Sequence, residues 1–161
     1  MLTFARAAVF AATFTLLAAP HARAQSSSIR VTIVGGQNAG THEVKGGPDD
    51  CSIVNGEIRA LFSPADEAGS PLPVAVDFYT VAGKGKPDGF GVQMIFLGQY
   101  NRQIKYEIHA MPPGVKNPLF IPNSGRGSVT VKKKATGQTA TFRGQTKDGV
   151  RIEGTVDCRT R

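Results

Sequence analysis

Tryptophan is absent from this chain of 161 residues, and tyrosine occurs only three times. Sites for sugars and single-stranded nucleic acid usually stack their ligands on exposed aromatic rings, so that mode has little to draw on and nucleic acid is disfavoured as a partner. Cysteine occurs twice, at Cys51 and Cys158, far from the C-x-x-C spacing that a redox catalyst or thiolate metal site would favour. There is no G-x-S-x-G elbow to carry a hydrolytic serine. Asn38, Asn55, Asn101, Asn117 and Asn123 all lack Ser or Thr two positions on, so no N-glycosylation acceptor is present. Beyond residue 24 no apolar run is long enough to span a bilayer as a helix, and no segment keeps a long helical period.

The opening "MLTFARAAVFAATFTLLAAPHARA" carries an early charge at Arg6, an apolar run from Ala7 to Ala19, and a small-x-small exit at Ala22-Arg23-Ala24. This is the pattern of a cleaved signal peptide over 1–24 and predicts a secreted or periplasmic protein. No cysteine stands at the junction to take a bacterial lipid anchor. Removing 24 residues from 161 leaves 137, the size of one domain with a real core. Residues 25–28 read as a loose leader and 29–161 as that domain. In an oxidising compartment an even cysteine pair implies one bridge, Cys51 to Cys158, which in the chain-entropy picture stabilises the fold by about 4–5 kcal/mol. Loss of Arg6 and Arg23 with the leader lowers the formal charge from +7 to +5. The remaining basic excess favours acidic partners such as anionic glycans, lipid headgroups or nucleic acid.

What recurs in the rest is alternation over five to ten residues, broken by Gly, Pro, Asn and Asp. The segments are 29–34, 41–44, 57–62, 73–82, 90–97 and 103–110, with three more after residue 128. About seven to nine strands with one disulfide predict an all-β fold, an antiparallel β-sandwich or small barrel. "VNGE", "GKGKPDG" and "KDGV" supply turns between them. The inward set includes Ile29, Val31, Ile33, Ile58, Phe62, Val74, Val76, Phe78, Val92, Met94, Phe96, Ile104, Tyr106, Ile108, Val129, Val131, Phe142, Ile152 and Val156.

The stretch "VTVKKKATGQTATFRGQTKDGVRIEGTVDC" alternates in phase across three strands. Ala140, Phe142, Ile152, Val156 and Cys158 face in; Thr139, Thr141, Arg143, Arg151, Glu153, Thr155 and Asp157 face out, without one aromatic ring among them. Lys132 and Lys134 also face out, while Lys133 comes where the inner face reaches the rim. Two readings stand: a solvated face leading into a turn, where edge lysines discourage association, or a basic stripe of Lys132, Lys134, Arg143 and Arg151 diluted by Glu153 and Asp157.

Other chemistry is thinner. His42 sits beside Glu43 and near Asp49 and Asp50, so a histidine–carboxylate cluster is conceivable, although a partly exposed strand histidine is the simpler explanation. His109 and Met111 are two apart and could offer a soft pair to copper, completed by His42 or Met94. "GKGKPDGFG" mixes glycine and lysine as phosphate loops do, but a strand follows it where a phosphate loop needs a helix. Asp66, Glu67 and Asp88 fall in turns with no readable spacing. Tyr100 lies in a turn and is the most exposed tyrosine expected. No catalytic set and no cofactor is assigned.

"VTIVGG", "HEVKGGPDDC" ending in the first cysteine and "GVRIEGTVDC" ending in the second resemble segments of the small secreted antigens of the mycobacterial lipoprotein type. The resemblance covers the two ends, about a third of the mature chain, and departs from that group in lacking its lipid-attachment cysteine. It implies a compact, disulfide-closed β domain without enzymatic residues. The expected function is a non-enzymatic binding or interaction domain of the cell envelope, met by an envelope component or protein partner. The contacts would lie on its loops, especially the connection 111–127 with its apolar "PLFI", or on the basic stripe.

Overall fold

The computed structural model describes residues 26–47, 49–63, 72–83, 86–98, 102–112 and 124–160. The leader 1–24, Asp66, Glu67, Tyr100 and the "PLFI" of 118–121 lie outside these. Among the described residues there is no helix long and apolar enough to cross a membrane.

The elements are β1 (Ser27–Val34), β2 (Gly40–Gly46), β3 (Cys51–Val54), β4 (Glu57–Phe62), β5 (Ala75–Gly83), β6 (Lys86–Leu97), β7 (Gln103–Ala110), β8 (Gly125–Lys134), β9 (Gly137–Thr146) and β10 (Arg151–Arg159). They form two antiparallel five-stranded sheets, ordered β2-β1-β10-β9-β8 and β3-β4-β5-β6-β7, and neither closes into a barrel. The second sheet is a meander in chain order. The first is closed by its ends: β10 returns to lie beside β1, with Ile29 opposite Val156 and Ile33 opposite Ile152.

Each strand is set by its alternation. In β1, Ile29, Val31 and Ile33 are buried, while Arg30 and Val34 on the other face are exposed. The same period places Phe142 from β9 against Phe78 and Phe90 of the opposing sheet, with ring centroids 5.1 and 5.5 Å away. All three rings are almost wholly buried, and each such side chain favours the folded state by about 2–3 kcal/mol over leaving it exposed. Cys51, on the edge strand β3, bridges to Cys158 on the inner face of β10, with Cα atoms 5.6 Å apart across 107 residues of chain. The bridge therefore ties the two sheets together.

Several expectations shift. Ten strands form instead of seven to nine, because "CSIV" is itself a strand. Asn55 and Gly56 adopt φ of 52° and 82° and join it to β4 in a two-residue hairpin, a conformation that Asn-Gly accepts with little strain. β1 starts at Ser27, within the segment read as a loose leader: the buried Ser27 hydroxyl accepts a hydrogen bond from the Arg159 amide at 3.1 Å. β6 begins inside "GKGKPDG" and β8 inside the 111–127 connection. Phe90 and Val44 join the core, whereas Val74, Ile104, Val129 and Val131 are only partly buried. Lys133, in phase with Val129 and Val131, is exposed where that face ends, as expected.

Candidate functional site

The outer face of the first sheet collects short polar and cationic side chains in rows that the register defines. Ser128, Arg143, Glu153 and Thr32 form one row across β8, β9, β10 and β1. Thr130, Thr141, Thr155 and Arg30 form the next, and Arg126, Gln145, Arg151 and Val34 flank the first on its other side. Between them lie two adjoining clefts. One, of about 560 Å³, is lined by Val34, Arg126, Ser128, Arg143, Arg151 and Glu153, among others. The other, of about 470 Å³, is lined by Arg30, Thr32, Thr130, Thr141 and Thr155 and shares Ser128, Arg143 and Glu153 with the first. A third, of about 390 Å³, continues past Arg126 and Gln145 to Lys147.

The electrostatics are one-sided. Arg30, Arg143, Arg151 and Glu153 make no ion pair among the described residues, so their charges remain open to a ligand. Arg126 is held differently: its Nη2 donates to Gln145 Oε1 at 2.9 Å, and Gln145 Nε2 donates to the Gly149 carbonyl at 2.9 Å. A guanidinium fixed on one edge keeps its other donors aimed, which lowers the ordering cost of binding.

Lys132, Lys134, Arg143 and Arg151 all come from strands of this one sheet, and the structure brings Arg143 and Arg151 into one cleft. Lys132 and Lys134 line neither of the two larger clefts. Lys134 is instead 3.4 Å from Asp157, which also meets Arg159 at 2.6 Å and accepts from the Thr139 hydroxyl. Burial alone would raise the Asp157 carboxyl, but Arg159, Lys134 and Thr139 outweigh it and hold the group below the usual aspartate value. Arg30 and Arg126 escaped the sequence reading. Arg126 extends the phase of Thr130 and Ser128 backwards through "GRGS", but its glycines marked a loop; Arg30 is recruited by the distant β1–β10 pairing.

The histidines are placed elsewhere. His42 faces the core from β2, its Nε2 2.9 Å from the Asn38 carbonyl and its ring 5.0 Å from Phe96. It is buried, where a partly exposed side chain was expected. Glu43 points to the other face, and Asp50 accepts from the Gly47 amide at 2.6 Å, so these groups form no cluster with it. His109 lies on the outer face of the second sheet beside Tyr79, with ring centroids 6.0 Å apart. The second sheet thus stands between His109 and His42, and Met111 follows the end of β7. Among the described residues no three His, Cys, Asp or Glu side chains come together as a metal site.

Around His109 the outer face of the second sheet is closed rather than open. Tyr79 lies over Gly91, where a Cβ would fall inside the tyrosine ring. Glu107 is 2.6 Å from Lys105 and accepts from Gln93 at 3.1 Å. Burial, then the charges of Asp77 and Glu107, push the Tyr79 phenol far above its ordinary value, and burial raises Asp77 too. Burial lowers His109, with Glu107 opposing, so its imidazole is harder to protonate than a free one.

No known protein family, no curated protein and no solved structure matches this chain.

Proposed function

We propose that this is an exported, non-enzymatic binding protein that engages anionic material of the cell envelope through the outer face of its first sheet. The observation that carries the reading is the cleft shared by Arg126, Arg143 and Arg151, none of which has a counter-charge among the described residues. Guanidinium groups favour planar, bidentate pairing with carboxylate, sulfate or phosphate, and an open cluster of them attracts a polyanion at long range. The cleft lining contains hydroxyls and one carboxylate but neither histidine nor thiol, which favours binding over catalysis. The signal-peptide pattern, the disulfide and the resemblance to small secreted antigens point to the same compartment.

The test is retention of the purified protein on an envelope preparation at low and at high salt, with Arg143→Glu/Arg151→Glu beside wild type. Retention should fall with salt and drop by about a hundredfold or more in the variant, a loss of about 2.7 kcal/mol. Equal retention of the two proteins would remove this face from the function.

A further inference from the structure

Glu153 is the odd member of the cationic groove. It belongs to both larger clefts, lies opposite Arg143 and Thr32 in register, and pairs with no cation among the described residues. A carboxylate in the middle of an anion site repels a ligand that offers only anionic oxygens. It becomes useful when the ligand also carries hydroxyl donors, because a charged acceptor makes one of the stronger hydrogen bonds. Thr130, Thr141 and Thr155 add hydroxyls in one line beside it, each able to donate and accept.

Resting on the proposed anion-binding reading, we infer that the groove takes an acidic polysaccharide, a chain in which each sugar offers hydroxyls as well as a carboxylate. Its carboxylates meet Arg126, Arg143 and Arg151, while its hydroxyls meet Glu153 and the threonine row. The groove crosses β8, β9, β10 and β1, three inter-strand steps or about 14 Å, longer than one pyranose ring. Exposed Val34, at one end, gives a sugar C–H face an apolar contact. No aromatic ring is exposed on the cleft floors, where Phe142 is turned into the core. A single-stranded nucleic acid would find no stacking platform there.

The experiment is affinity electrophoresis of the purified protein, at one salt concentration, through gels containing polygalacturonate, dextran, inorganic polyphosphate or oligothymidylate. Wild type, Glu153→Gln and Thr141→Val are compared. Polygalacturonate should retard the wild type and dextran should not. Removing the Glu153 charge eases repulsion of both polyanions, but only the sugar has a charge-assisted hydrogen bond to be weakened to a neutral one, so the polygalacturonate-to-polyphosphate affinity ratio should fall about threefold to tenfold in Glu153→Gln. A smaller fall in the same ratio is expected for Thr141→Val. An unchanged or higher ratio in both variants, or retardation by polyphosphate or oligothymidylate alone, overturns the sugar assignment while leaving an anion-binding face. Retardation by none of the polymers overturns both readings.

Discussion

The outer faces of the two sheets are built from the same strand period and end in opposite states. On the first sheet, Arg30, Arg126, Arg143, Arg151 and Glu153 stand in water with most of their charges unanswered. On the second, Tyr79, Glu107 and His109 are buried at positions where the alternation called for solvent. β7 has four consecutive buried residues, Tyr106 to His109. Desolvation explains the contrast in behaviour. A charge left in water is open to a partner, whereas a buried carboxylate needs partners close by, as Glu107 has in Lys105 and Gln93. The first face is left open to solvent, and the second is closed over by its own side chains.

The largest test of that division is the bridge beneath both faces. Cys51→Ser with Cys158→Ser should lower the unfolding free energy by about 4 kcal/mol in a urea titration. An unchanged midpoint would mean that the sheets hold each other without it. Next, Gly91→Val drives a side chain into the Tyr79 ring and should cost about 2–3 kcal/mol. Thr141→Val on the wet face should stay within about half a kcal/mol. Comparable losses at the two sites would erase the distinction between a packed face and an open one.

A smaller effect separates the faces by pH. His109 is harder to protonate in the fold than in the unfolded chain, so its contribution is present above the free imidazole value of 6.5 and is lost as pH falls below it. Asp77, raised in the fold, works the other way: its contribution is complete below 3.8 and is lost as pH rises through its folded value. Asp157, held low, contributes above 3.8 and loses that contribution in stronger acid. The urea midpoint of wild type should therefore drop between about pH 7.5 and pH 5.5, and His109→Gln should flatten that drop. An equal drop in the variant would place the pH sensitivity elsewhere. Smallest of all, Lys134→Ala breaks a half-exposed ion pair with Asp157 and should cost a few tenths of a kcal/mol in the same titration.

How legible each region was follows from the same contrast. In β10, with one wet face, Ile152, Val156 and Cys158 alternate with Arg151, Glu153 and Thr155, and the sequence pattern assigns every side correctly. In β7 the alternation that turns Ile104, Tyr106 and Ile108 inward leaves Glu107 and His109 on the other face, and nothing local reveals that this face is covered. "CSIV", four residues long, is too short to show a period. Arg143 and Arg151 could be grouped because they lie on one hairpin. Arg30 could not, since its place beside Thr155 depends on a pairing between opposite ends of the chain.

That pairing imposes a timetable. Synthesis runs from the N-terminus, so β1 and β2 exist as a bare hairpin while the whole second sheet is being made. Cys51 waits through 107 residues before its partner sulfur emerges. A two-stranded ribbon is marginal alone, and its open edge invites pairing with a neighbouring chain. A nascent chain stalled or clipped before Arg151 keeps that edge exposed and its thiol unpaired. β10 thus acts as the latch of this fold, the strand that covers the open edge of β1 and brings Cys51 its partner sulfur.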